Sequence, residues 1–155
     1  MPAAKPDNPK TSLHPRLPVD SSVFFKLVRV VNLTARPFHE GVSREHHLSL
    51  NDWRVMVVLA SHAQLAATEV ADFCGLDKMS VSRAIAALAK AGRIVKAPDT
   101  QDQRRTLLSL SPSGKRLYSK IGTRAMKREA ELFADFGQQD LQRLDALLDQ
   151  LLEAL

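Results

Sequence analysis

Residues 66–110 read AATEVADFCGLDKMSVSRAIAALAKAGRIVKAPDTQDQRRTLLSL. Val70, Ala71 and Cys74 recur on one face of a short helix, and Gly75 suits the sharp turn that follows. Asp77 is a favourable N-cap for a second helix over Lys78–Ala91, with Val81, Ile85, Leu88 and Ala89 as its inward face. Arg93–Ala97 and Thr106–Leu110 then alternate as edge strands on either side of Pro98 and a polar tip, Asp99–Arg105. Helix, tight turn, helix and hairpin predict a mainly α fold with a small β-hairpin wing, a winged helix-turn-helix.

Such a unit is suited to duplex DNA. With the inward positions assigned, Lys78, Met79, Ser80, Ser82 and Arg83 cluster at the N-terminal end of the second helix, the end that meets base edges in helix-turn-helix readers. Short hydroxyls allow close approach to phosphates, and Arg83 is long enough to fork onto a guanine edge. Arg104 and Arg105 sit on a loop where no folding requirement explains two adjacent cations. An arginine there can enter a narrow minor groove, and Asp99 and Asp102 are near enough in sequence to orient it. Charge agrees in its placement: residues 76–124 hold eleven Lys/Arg against three Asp/Glu, whereas residues 125–155 hold three against seven. A positive band on the reading unit is the electrostatic footprint of phosphate binding.

The rest of the chain divides around this centre into a flexible arm, 1–18, flanking helices, 19–47 and 112–155, and the reading unit, 48–111. Residues 1–18 carry five of the eight prolines and no helical period, which reads as an extended arm able to bring His14 and Arg16 to a second subunit's pocket. A helix capped by Asp20 or Ser21 follows, and Pro37 is expected to kink or break it. Leu48–Leu59 is the next helix, capped by Ser49 or Asn51 and dense enough in apolar residues to be mostly buried. Trp53 is core or a pocket wall, and Arg54 beside it can pair with Asp52, Glu45 or a ligand carboxylate. His39, Glu40, Glu45, His46 and His47 are metal-ligand types without a metal-site pattern, so no metal is assigned. Cys74, the single cysteine, reads as packing.

After the wing, Ser111-Pro112 begins a helix expected to run to about Phe136, where Gly137 stops it. Leu141, Leu144, Leu147, Leu148, Leu151, Leu152 and Leu155 form a stripe on the last helix that requires burial, most simply against a second copy. No unbroken apolar run is longer than Val55–Ala60, far below the roughly 20 residues of a membrane span. With no secretory signal pattern at the N-terminus, a cytoplasmic protein is expected. No nucleophile, phosphate-loop or dinucleotide motif is present in the sequence, so no enzyme activity and no catalytic residues are expected.

The succession GLDKMSVSR, AKAGRI, DTQDQRR, LLSLSPSGKRL, long helix, final helix resembles the MarR family of bacterial transcription regulators over about residues 20–155. Its usual wing pattern D-x-R-D-x-R stands as Asp99-Thr100-Gln101-Asp102-Gln103-Arg104, with Gln101 in place of the first arginine and Arg105 following as a further DNA-contacting cation that compensates for it. The resemblance implies a homodimer on a palindromic operator, with Arg104 in the minor groove and Ser80, Ser82 and Arg83 on the recognition helix. It further implies a repressor released by a small effector, an aromatic carboxylate or phenol, in a pocket between the dimer helices and the reading unit. Phe38, His39 and Trp53 are the expected walls and Arg16 the anion partner. A metal-responsive regulator using His39, His46 and His47, or a non-specific DNA-architectural protein, are the alternatives on the same fold.

Overall fold

The computed structural model describes residues 19–155. The expectations for residues 1–18, Arg16 among them, lie outside the described residues. The chain runs through seven α-helices and one antiparallel hairpin, in the order α1 (Val23–Pro37), α2 (Ser43–His46), α3 (Leu50–Ser61), α4 (Ala67–Cys74), α5 (Lys78–Lys90), β1 (Ile94–Pro98), β2 (Thr106–Leu110), α6 (Pro112–Leu132) and α7 (Gln138–Glu153) among the described residues.

Ser22 caps α1 by accepting the Phe25 N–H at 3.2 Å, a residue or two beyond the caps expected. Pro37 does not break the path. The chain coils on through one wide π turn, Phe38–Val42, straight into α2. Proline has no N–H to give the helix, and a wider turn accommodates that loss while keeping the axis going. His47, at φ 48, ends α2 in the left-handed region.

Helix α3 starts in a reciprocal box: the Asp52 N–H donates to Ser49 Oγ at 3.0 Å and the Ser49 N–H donates to the Asp52 carboxylate at 2.8 Å. Its Val55, Met56 and Leu59 are buried. Gly75 closes α4 at φ 60, the conformation that lets the chain turn sharply into α5. On α5 the buried face is Val81, Ala84, Ile85 and Leu88, while Ala89, expected inside, is half-buried. Positions 81, 84, 85 and 88 lie on one side of a 3.6-residue helix, and 89 begins to rotate off it.

The wing strands pair from Ile94↔Leu110 to Pro98↔Thr106, so β1 starts one residue later than the sequence suggested and includes Pro98. Leu65, just before α4, bridges to Leu108 with bonds of 2.8 and 3.3 Å and so ties the hairpin to the helices. Leu48, Met56, Val70, Val81, Leu88, Ile94, Leu108 and Ile121 lie in a single buried cluster. Full burial of one such aliphatic side chain stabilises by about 1.5–3 kcal/mol.

Helix α6 begins as expected, with Pro112 first and Ser111 accepting the Gly114 N–H at 3.0 Å. It ends at Leu132, not near Phe136, and Gly137 serves as the N-cap residue of α7 with extended backbone (φ −68, ψ 152). The intervening turn packs Phe133 edge-on to Phe136, with ring centroids 5.7 Å apart. Helices α1 and α7 bury none of their residues within the chain.

The joint between α6 and the reading unit is tight. The Ser111 N–H donates to the Arg93 carbonyl at 3.0 Å, and the Ser111 and Ser113 hydroxyls donate to the Gly92 carbonyl at 2.7 and 2.8 Å. A Cβ on Gly114 would stand 1.9 Å from the Arg93 carbonyl oxygen, so only glycine allows this approach. Gly114→Ala is expected to cost about 1–3 kcal/mol as the backbones separate, read as a lower urea midpoint at unchanged m-value.

Candidate nucleic-acid interface and adjoining cavity

The start of α5 is exposed and internally braced. Asp77 accepts the Ser80 N–H at 2.8 Å and the Ser80 hydroxyl at 2.6 Å, and Arg83 Nη2 reaches Ser80 Oγ at 3.4 Å. The Ser80 hydroxyl bond, then its N–H, hold the Asp77 carboxyl below its ordinary pKa. Ser80 is therefore engaged in fixing the helix start, while Lys78, Met79, Ser82 and Arg83 project to solvent. Met79 is 67% exposed, unusual for an apolar side chain and suited to apolar contact with a thymine methyl. Ser82 also lines a shallow groove with Lys96 and Thr106, which makes one continuous surface of α5 and the wing.

The wing tip is ordered by its two aspartates through the backbone. Asp99 accepts the Gln101 N–H at 2.9 Å and Asp102 accepts the Arg104 N–H at 3.0 Å. Orientation of Arg104 thus comes from turn geometry, and the direct carboxylate–guanidinium pairing envisaged from sequence is not formed with it. Arg104 is exposed and pairs with no carboxylate among the described residues.

Arg105 is placed differently from its neighbour. Its Nη2 lies 2.9 Å from Glu69 Oε2 and its Nε 3.9 Å from the Asp99 carboxylate. The same Glu69 oxygen accepts the Ala66 N–H at 2.7 Å at the start of α4. That backbone bond, ahead of the Arg105 contact, lowers the Glu69 pKa. Arg105 therefore tethers the wing to α4, and Arg104 is the cation left to reach outward.

On the other side of α3, a cavity of about 550 Å³ is lined by Phe38, Trp53, Arg54, Arg124, Arg128 and Leu132, among others. Trp53 stacks on Tyr118 at 5.5 Å and on Phe38 at 6.5 Å, so it is both wall and packing. His39 meets Phe38 edge-on at 6.1 Å but is exposed and does not line the cavity, against the expectation that it would. Successive residues of the turn point in different directions, and Phe38 took the inward one. Among the described residues Arg54 reaches only Asn51, at 3.4 Å, with Asp52 committed to Ser49 and Glu45 to α6.

Glu45 is held by Arg124 Nη1 at 2.7 Å and Lys120 Nζ at 3.0 Å. The Arg124 bond, then the Lys120 bond, bring its pKa down to about 2. Arg124 and Arg128 were missed from sequence, although the i, i+4 series Lys120, Arg124, Arg128 was a visible cationic stripe on α6.

Among the described residues no three His, Cys, Asp or Glu side chains gather as a metal-ligand set, and His39, His46 and His47 are not brought together as one. Cys74 is partly buried, and burial pushes its thiol pKa up, away from a reactive thiolate. No helix among the described residues is long and apolar enough to cross a membrane.

Comparison with known proteins adds to this geometry. Residues 46–105, from the end of α2 through the wing, match the MarR family model. The homoprotocatechuate degradative operon repressor of Escherichia coli is 22% identical over 116 residues, 75% of this chain and 78% of that protein. A MarR/EmrR family transcriptional regulator from Acinetobacter sp. ADP1 superposes with a TM-score of 0.80 at 24% identity, over 87% of this chain and 95% of its own. NadR in complex with 4-hydroxyphenylacetate superposes with a TM-score of 0.77, also at 24% identity, over 90% and 98%. The winged-helix fold with its flanking helices is shared with these solved structures, and residues 46–105 are similar to the MarR family.

Proposed function

We propose that this chain is a homodimeric, sequence-specific transcriptional repressor whose hold on a palindromic operator is released by a small aromatic carboxylate or phenol. The observation that carries the reading is the arrangement around α3. An exposed cationic reading surface lies on one side, and an aromatic cavity rimmed by Arg54, Arg124 and Arg128 on the other. It is a binding protein of the cytoplasm, with no chemistry of its own.

For DNA, the N-terminal end of α5 lies in the major groove, with Arg83 on a base edge and Lys78, Met79 and Ser82 beside it. Arg104 enters the flanking minor groove, and Asp99, Asp102 and Arg105 hold the wing in place for it. Residues 48–111 form the reading unit, and residues 19–47 and 112–155 supply the dimer helices. Dimerisation is supported by apolar faces that the described residues leave exposed: Val23, Phe24, Val30 and Val31 on α1, Leu147, Leu148, Leu151 and Leu152 on α7. A monomer seldom leaves so much contiguous apolar surface in water.

For the effector, the cavity volume lies in the range of small-ligand sites, roughly 300–1,000 Å³. Phe38 and Trp53 supply ring faces, and a guanidinium suits a carboxylate. NadR was solved with 4-hydroxyphenylacetate, a compound of this class, and the E. coli relative is named for an operon that degrades another.

Selection from a random duplex pool is expected to return a palindrome with half-site centres about 10 base pairs apart; recovery of no motif at moderate salt would favour non-specific binding. With that operator, Arg104→Ala is expected to weaken binding to most duplexes. Arg83→Ala is expected also to relax sequence preference, by about 1–3 kcal/mol of discrimination at the contacted base. Parent-like binding by both variants would remove the proposed surface. Leu148→Asp is expected to convert dimer to monomer in sedimentation and to lose tight operator binding; a monomeric parent would contradict the assembly.

A further inference from the structure

The cavity's cations are not equally free. Arg124 lines the cavity, yet its Nη1 is already 2.7 Å from the carboxylate of Glu45, which sits on α2 just outside the lining. Lys120 holds the other oxygen of that carboxylate at 3.0 Å. Arg54 and Arg128 also line the cavity, and Glu129 is the acidic residue among its described lining. Glu45 and Arg124 are 40% and 55% exposed, so their bond is made in water and can be exchanged for another carboxylate without a large desolvation cost.

We propose that Glu45 is an internal competitor for Arg124 and so sets the affinity and charge preference of the cavity. The inference rests on the effector reading above and deepens it. A carboxylate bound against Trp53 offers Arg124 the same charge as Glu45, which meets Arg124 through one oxygen and gives the other to Lys120. With Nη1 so engaged, part of the guanidinium's charge is already offset, so an anionic ligand gains less from Arg124 than it would without Glu45, whereas a neutral ligand of the same shape is indifferent.

The exchange has a structural consequence because Glu45 adjoins a tether to the reading unit. The next residue, His46, gives its backbone carbonyl to the Arg93 guanidinium, and Arg93 lies three positions beyond the last residue of α5. The His46 Nε2 atom is buried, has no hydrogen-bond partner among the described residues, and lies 3.3 Å from Glu45 Oε1. Displacing Glu45 therefore loosens α2 from α6 at the residue next to the one that steadies the C-terminal end of the recognition helix.

Trp53 is the single tryptophan and stands in the cavity, so its fluorescence reports occupation. Benzoate and its neutral analogue benzamide are titrated into the full-length parent, Glu45→Gln, Arg124→Gln and the double variant. Glu45→Gln is expected to bind benzoate about two- to fivefold more tightly than the parent, the range of an exposed ion pair, with benzamide unchanged. Arg124→Gln is expected to weaken benzoate, and in its background the gain from Glu45→Gln is expected to vanish. Equal benzoate affinity in parent and Glu45→Gln would overturn the proposal, as would an equal gain for benzamide. Absence of benzoate uptake by parent and Glu45→Gln alike would overturn it too, while leaving the DNA-binding reading to the selection experiment, which needs no ligand.

Discussion

Arg93 is gripped from two sides, and the relation between the two halves of the molecule depends on that grip. Its carbonyl accepts the Ser111 N–H at the start of α6 and is pressed against Gly114; its guanidinium reaches the His46 carbonyl at the end of α2. Arg93 also joins the recognition helix to the first wing strand. One residue thus fixes the reading unit against both helical segments that flank it. A movement of α6 is passed to α5 and the wing through a backbone contact, and a movement of α2 through the Arg93 side chain.

The distribution of burial follows the same division. The apolar interior is concentrated in α3, α4, α5 and the hairpin, with Leu48 and Ile121 contributed from just outside them. The reading unit can therefore keep its shape while the flanking helices adjust. Those helices carry the uncovered apolar faces and, on α6, the cations of the cavity. In the dimer proposed above, a ligand there would touch the part of the molecule whose geometry sets the spacing of two reading heads. By linkage it would lower operator affinity only as far as it prefers the spacing that DNA does not.

Most of the reading unit was legible in the sequence because its signals are local. Asp77, Ser49, Ser111 and Gly75 each act on backbone groups a few residues away, and each stands where its chemistry suggested. Less legible were features decided by partners distant along the chain. The two arginines of the wing look equivalent in sequence, yet Arg105 is drawn to Glu69, 36 positions earlier, and Arg104 is left free. The cavity's Arg124 meets Glu45 across 79 positions. Gly137 was misjudged for a different reason: a glycine signals a break without saying which helix it belongs to, and here it opens α7. Pro37 removes a donor, but a π turn absorbed the defect where a kink or a break was expected.

The claim that the cavity and the reading surface are coupled through this joint is tested most directly by reciprocity. The affinity of 4-hydroxyphenylacetate is measured by Trp53 fluorescence for free protein and for protein saturated with its selected operator. Operator affinity is then measured with and without saturating acid at the same salt. The account requires weaker acid binding on DNA, by the same factor by which the acid weakens DNA binding. Equal affinity for the acid on and off the operator would contradict it.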